Sequence, residues 1–162
     1  MARVYVSLGS NIERERHIRA ALERLKSLYG PLEQSTVYES DAVGFDSTPF
    51  YNLVVGFDTD VEPHVIQEVL HAIESDTGRA RTSELGARTL DLDLLLYDDL
   101  VITEPDLVLP RADITRYAFV LGPLAELAGD ACHPVSGERY ADMWADFDVD
   151  SQPMTPVSWP PA

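Results

Sequence analysis

The sequence predicts an α+β fold, an antiparallel sheet with helices packed on it, and three observations predict it. Several short runs alternate apolar and polar residues with the period of a strand, two longer runs repeat apolar residues every three or four positions, and turn residues separate them. The resulting order, β-α-β-β-α-β, is the split βαβ, ferredoxin-like arrangement. A chain of 162 residues that is 45% hydrophobic and 25% charged is one domain's length and buries a real core. Disorder of the whole chain is thereby excluded.

Residues 3–8 alternate Val4, Val6 and Leu8 against Tyr5 and Ser7, a first strand that runs into Gly9-Ser10-Asn11. Gly9 reads as a tight-turn residue, because neither GxGxxG nor GxxxxGK[ST] is present. Ile18, Ala21, Leu22, Leu25 and Leu28 then mark a helix closed by Gly30-Pro31. Residues 32–38 and 50–58 read as the second and third strands. Between them lies 39–49, a polar loop with glycine and proline, of a length that in compact domains is often functional.

Pro63 suits the first turn of a second helix with apolar residues Val65, Ile66, Val69, Leu70 and Ile73, ended by Gly78. His71 and Glu74, three apart, share a side of it, and read as a solvated flank unless other residues converge there. The loop 79–88 carries Arg79, Arg81 and Arg88, three of the chain's twelve basic residues.

The fourth strand follows directly. In Leu90-Asp91-Leu92-Asp93-Leu94-Leu95-Leu96, alternation sends Leu90, Leu92, Leu94 and Leu96 to one face and Asp91 and Asp93 to the other. Cα atoms at i and i+2 of a strand lie roughly 6.5–7 Å apart, and carboxylates that close repel unless cations or donors lie between them. Asp is depleted in strands and a divalent metal is the economical answer to the repulsion, but on the pair alone a half-buried edge strand with a solvated face is the commoner reading, and it is the surrounding residues that raise the metal reading. A basic loop leading into an acidic strand suits Mg²⁺, which takes carboxylates and substrate phosphates, while arginines pair with the remaining phosphate oxygens. A central position in the sheet would shelter the two aspartates. After it, 100–102 reads as a short strand, 109–116 as a loop with Arg111 and Arg116, and 117–127 as a buried helix. Residues 133–138 read as a turn. From 148 to 162 the chain is acidic and proline-rich, a flexible or extended tail on a single domain of residues 1–147, with Trp159 able to dock on the body or on a second copy.

The charge balance excludes some partners. Against 28 acidic residues stand 12 basic ones, a formal net charge of −16 with Lys26 as the only lysine, so nucleic acid and anionic membrane are repelled. Any polyanionic ligand has to be held by local arginines or by metal. No apolar run reaches the ~18 residues a bilayer span needs. One cysteine, Cys132, permits no internal disulfide and reads as a small buried hydrophobe, and no leader pattern opens the chain, so a cytoplasmic location is expected.

With these residues in view, the sequence resembles the hydroxymethyldihydropterin pyrophosphokinase family of folate biosynthesis. The resemblance covers roughly residues 3–147 and is most specific at Gly86-Ala87-Arg88-Thr89-Leu90-Asp91-Leu92-Asp93, similar to the family's Gly-Pro-Arg-Thr-Leu-Asp-Leu-Asp. Leu8-Gly9-Ser10-Asn11, Phe50-x-Asn52, Ile73-Glu74-x-x-x-Gly78-Arg79-x-Arg81 and Ala118-Phe119-Val120-Leu121-x-Pro123-Leu124 are similar to further family segments. The resemblance implies transfer of the βγ-pyrophosphoryl group of ATP to the hydroxymethyl oxygen of the dihydropterin, leaving AMP. It implies two Mg²⁺ ions on Asp91 and Asp93, with Arg79 and Arg88 as the catalytic pair. ATP is then expected at His71, Glu74, Arg81, Leu94, Arg111 and Arg116. The pterin is expected between Phe50 and Phe119, with Ser40, Val43, Gly44 and Asn52 at its polar edge. A monomer or weak homodimer with pterin and ATP as its ligands is expected.

The chain departs from the family pattern around the triphosphate. Thr82-Ser83-Glu84-Leu85 occupies a loop one residue shorter that usually holds a further basic residue and a Trp. Pro110-Arg111 stands where Pro-His is usual, Tyr117 where an arginine is usual, and Ser40-Asp41-Ala42-Val43-Gly44 where Thr-Pro-Pro-Leu-Gly is usual. Two other classes therefore stand beside the leading reading: a pterin- or nucleotide-binding relative with weakened catalysis, and a pyrophosphokinase for a related pterin.

Overall fold

The computed structural model describes residues 1–41, 48–77 and 89–160. Val43, Gly44, Arg79, Arg81 and Arg88 lie outside the described residues. The elements are β1 (Ala2–Ser10), α1 (Arg14–Tyr29), β2 (Glu33–Gln34), β3 (Val37–Ser40), β4 (Phe50–Thr59), α2 (Pro63–Asp76) and β5 (Asp91–Tyr97). A hairpin β6 (Ile102–Glu104) and β7 (Leu107–Leu109), helices α3 (Asp113–Arg116), α4 (Ala118–Ala128) and α5 (Tyr140–Asp146), and strand β8 (Met154–Val157) complete the chain.

The main sheet is antiparallel in the order β5-β1-β4-β3-β8, with β2 also pairing β4, and its first four strands are the ferredoxin-like order. This corrects one expectation: β5 is at the sheet's edge, because a fourth strand that follows the second helix pairs outside the first. The predicted second strand is broken at Ser35 and Thr36, leaving β2 and β3. The Ser35 hydroxyl accepts the Val54 N–H at 2.9 Å, which replaces a ladder bond at the break.

Period 2 assigns each strand one face to each of two cores. Val4, Val6 and Leu8 of β1, Leu53, Val55 and Phe57 of β4, and Leu92 and Leu94 of β5 pack against Ile18, Ala21 and Leu25 of α1 and Ile66, Leu70 and Ile73 of α2. Each such side chain taken from water contributes roughly 1.5–3 kcal/mol. Leu28 and Val65, expected in these helix faces, stand in terminal turns and are 52% and 44% exposed. On the opposite face, Val54, Leu95 and Leu96 pack against Ile114, Val120, Leu121 and Leu124, with Tyr140 of α5 behind them.

Leu96 is another correction. Pairing of β5 with β1 slips between Tyr5 and Val6, so that Leu94 opposes Val6 and Leu96 opposes Tyr5, with Leu95 as an extra residue. A bulge of this kind reverses strict alternation and moves Leu96 to the face of Leu95. Cys132 is exposed rather than buried, on an isolated bridge with Arg139. The C-terminal stretch takes the extended alternative: β8 pairs with β3, from Val37 opposite Val157 to Ser40 opposite Met154, and Trp159 packs against the first core. No helix among the described residues is long and apolar enough to cross a membrane.

Candidate active site

The second sheet face is covered by α4 and α5 along part of its length, and at the other end it lines a cavity of about 310 Å³. Strand parity explains what lines it. Ser7 and Gly9 of β1 sit opposite Asp93 and Asp91 of β5, and Phe50 and Asn52 of β4 point the same way. Ser40 and Asp41 follow from β3, and Asp113, Tyr117 and Phe119 descend from α3 and α4. Of the expected site residues, the structure thus brings together Asp91, Asp93, Ser40, Phe50, Asn52 and Phe119.

Gly9 is in β1, not in a turn. A Cβ built on it would lie 2.9 Å from Asn52 Oδ1 and 3.6 Å from Phe50, so its missing side chain lets both approach β1. Asn52 is buried, and its amide nitrogen donates to Ser40 Oγ at 2.8 Å, which fixes two polar residues of the cavity against each other. At the β1 exit, Ser10 Oγ donates to the Thr89 carbonyl at 2.6 Å and holds the chain entering β5.

Glu74 and Arg111 brace the acid strand. Glu74 of α2 is buried, and its carboxylate accepts the Leu92 N–H at 2.8 Å, so the helix grips β5 between the two aspartates. His71 is exposed, so the expected pair does not converge on one environment. Arg111 reaches Asp93 and Asp113, each at 3.3 Å, and its own N–H donates to the carbonyl of the bulge residue Leu95 at 3.0 Å. Burial works against the Arg111 charge, yet Asp93, Asp113 and Asp91 outweigh it and hold the guanidinium proton more tightly than usual. Arg116 is exposed and does not line the cavity, and the Leu94 side chain is buried in the first core.

Sequence reasoning missed Asp113 as a third carboxylate and Tyr117 as an aromatic wall. Tyr117 is the extended residue between α3 and α4, and its ring stacks on Phe119 with centroids 5.0 Å apart and 14° between planes. The signal was Arg111-x-Asp113 in a loop beside the acid strand. Asp91, Asp93 and Asp113 line one cavity, Arg111 pairs with the last two, and carboxylate oxygens are the ligands Mg²⁺ takes. His64, Glu104 and Asp106 also bring potential ligand atoms within 4.8 Å of one another, but none of them lines this cavity.

A ferredoxin-like sheet with an acid pair on β5 and stacked rings in the same cavity defines a class: an α+β domain whose cavity joins carboxylates to aromatic walls. The profile of the 7,8-dihydro-6-hydroxymethylpterin-pyrophosphokinase (HPPK) family matches residues 5–129. The 2-amino-4-hydroxy-6-hydroxymethyldihydropteridine pyrophosphokinase of Pseudomonas aeruginosa is 42% identical over 132 residues, covering 79% of this chain and 82% of that protein. The enzyme of the same name from Methylorubrum extorquens is 36% identical and covers 91% and 95%. The folic acid synthesis protein of Pneumocystis carinii is 35% identical, and this chain spans 21% of its length. In structure, Plasmodium falciparum HPPK-DHPS superposes with a TM-score of 0.72 at 15% identity over 90% of this chain and 43% of that one, a likeness of fold. The chain belongs to the hydroxymethyldihydropterin pyrophosphokinase family.

Proposed function

We propose that this chain transfers the βγ-pyrophosphoryl group of ATP to the hydroxymethyl oxygen of 6-hydroxymethyl-7,8-dihydropterin. A bond forms from that oxygen to the β-phosphorus as its proton passes to solvent, the bond from the β-phosphorus to the oxygen bridging it to the α-phosphorus breaks, and AMP leaves with that bridging oxygen. The carrying observation is that Asp91 and Asp93 share one cavity with Phe50, Tyr117 and Phe119. Reactions of this type need positioning and charge neutralisation more than covalent chemistry.

Asp91 and Asp93 would hold Mg²⁺, two ions by the family resemblance, with Asp113 within the same cavity. When bound, the metal would neutralise charge on the transferred phosphates. Phe50 and Phe119 would stack the pterin, and Asn52, Ser40 and the backbone at Val43 and Gly44 would read its polar edge. Arg79 and Arg88 would clamp phosphates in the transition state, with Arg81, Arg111 and Arg116 as further cations and His71 and Leu94 near the nucleotide. Glu74 would act through the Leu92 backbone as a positioning residue.

The test is AMP release from ATP, Mg²⁺ and the dihydropterin. We expect turnover that chelation abolishes and that Asp91→Ala or Asp93→Ala lowers at least ~100-fold, the loss of a transition-state clamp. AMP at background levels, or an Asp91→Ala enzyme equal to wild type, would refute the proposal.

A further inference from the structure

The C-terminal segment braces the α3–α4 junction, which carries part of the cavity wall, through the Gln152 side chain. Gln152 follows a 3-10 turn (Val149–Ser151) and precedes β8. Its Oε1 accepts the Ala118 N–H at 3.0 Å, and its amide nitrogen donates to the Arg116 carbonyl at 2.8 Å. Arg116 is the last residue of α3 and Ala118 the first of α4. A single amide therefore satisfies a carbonyl that α3 leaves open and an N–H that α4 leaves open, where helix ends have no intrahelical partner.

Between them stands Tyr117 with φ −123° and ψ 128°. Its own backbone is fully engaged, its N–H donating to Asp113 at 3.1 Å and its carbonyl accepting from Val120 at 3.1 Å and Leu121 at 3.0 Å. Only this extended residue between helices lets the rings of Tyr117 and Phe119, two positions apart, stack face to face. Residues i and i+2 within one helix point to different sides.

The same segment is fastened elsewhere. Met154 opposes Ser40 in the β3–β8 pair, and Gly122 leaves room on α4 for the Met154 methyl, which would lie 2.6 Å from a Cβ there. Gln152 and Met154 also line an outer cavity that shares Ser40, Asp41, Tyr117 and Phe119 with the first.

We infer that Gln152 is a positioning residue for the pterin wall: by bridging the α3–α4 break it holds Tyr117 and Phe119 in their stacked arrangement. The inference rests on the pterin reading proposed above. It makes the C-terminal strand a part of substrate recognition and separates it from the acid strand that serves the nucleotide.

Gln152→Met keeps the length of the side chain and removes both hydrogen bonds. We expect it to weaken 6-hydroxymethyl-7,8-dihydropterin about tenfold, measured by calorimetry with Mg²⁺ and a non-hydrolysable ATP analogue saturating, as two net hydrogen bonds would. Binding of the Mg²⁺–analogue complex alone should stay within about twofold. Gln152→Glu keeps the acceptor for Ala118 but turns a carboxylate oxygen on the Arg116 carbonyl, so it should lose no less affinity than Gln152→Met. Thermal midpoints check that each variant is folded. Wild-type pterin affinity in the folded methionine variant, or equal weakening of pterin and analogue, overturns the inference while leaving the pterin reading intact. A wild-type protein that binds the analogue but no pterin overturns both.

Discussion

Arg111 already occupies Asp93 and Asp113 before any ligand arrives. It lies 3.3 Å from both Asp93 and Asp113, so it competes with an entering cation for Asp93. Its side chain is 39% exposed, which keeps the strength of such pairs near the surface range of at most about 1 kcal/mol, or about fivefold in affinity. Arg111→Met should therefore bind Mg²⁺ alone up to about fivefold more tightly and the Mg²⁺ complex of an ATP analogue more weakly, since a cation near the polyanion is lost. Calorimetry with the metal alone and then with the complex separates the two effects, and unchanged Mg²⁺ affinity would refute the competition. At this scale Asp91 and Asp93 were legible because strand period alone places them side by side. Asp113 was not, because α3 spans four residues, too few for any periodicity to show which way its side chains turn.

Among the elements, β1, β5, α1 and α2 were legible, whereas β8 and α5 were not. The alternation of β1 and β5 and the 3.6 period of α1 and α2 are local signals, and burial in the structure follows them until the bulge at Leu95. That bulge depends on the pairing partner, which the sequence of β5 alone does not contain. Strand β8 looks like a tail by composition, since proline cannot donate to a ladder. It becomes a strand because it adds to the outer side of β3, where a missing N–H is tolerated. Helix α5 is seven residues long and is docked by Tyr140 rather than by a long amphipathic run.

The turn that leads into α5 gives a prediction at this scale. His133 Nδ1 accepts the N–H groups of Val135 and Ser136, each at 3.2 Å, a role that needs the nitrogen unprotonated. Burial lowers its pKa from the usual 6.5 and Glu138 only partly opposes the shift. With the folded value depressed, its contribution is complete above pH 6.5 and is lost as pH falls, because the unfolded chain takes up the proton first. His133→Asn offers a similarly placed acceptor that does not titrate. Between about pH 7.5 and about pH 5.5 the wild-type melting midpoint should fall more steeply than that of the variant. Parallel curves would show that the imidazole does not titrate on unfolding.

The molecule as a whole is organised against its own charge. A net charge of −16 on 162 residues repels itself in the compact state, while the ion pairs that oppose this repulsion, such as Arg24 with Asp76 at 2.7 Å and Arg139 with Asp130 at 2.7 Å, are solvent-exposed. Exposed pairs are worth about 1 kcal/mol or less each, whereas the repulsion is summed over every pair of like charges within a Debye length, about 10 Å at 0.1 M salt. Screening should therefore remove more repulsion than attraction. Raising KCl from roughly 0.02 M to roughly 0.5 M should lift the thermal midpoint by about 3 °C or more, the shift that about 1 kcal/mol gives in a domain of this size. Chloride and potassium at these concentrations act mainly by screening, so sodium chloride should give the same rise, which distinguishes it from binding of a particular cation at Asp91 and Asp93. A midpoint that falls with salt would mean that the arginine ion pairs outweigh the acidic surface.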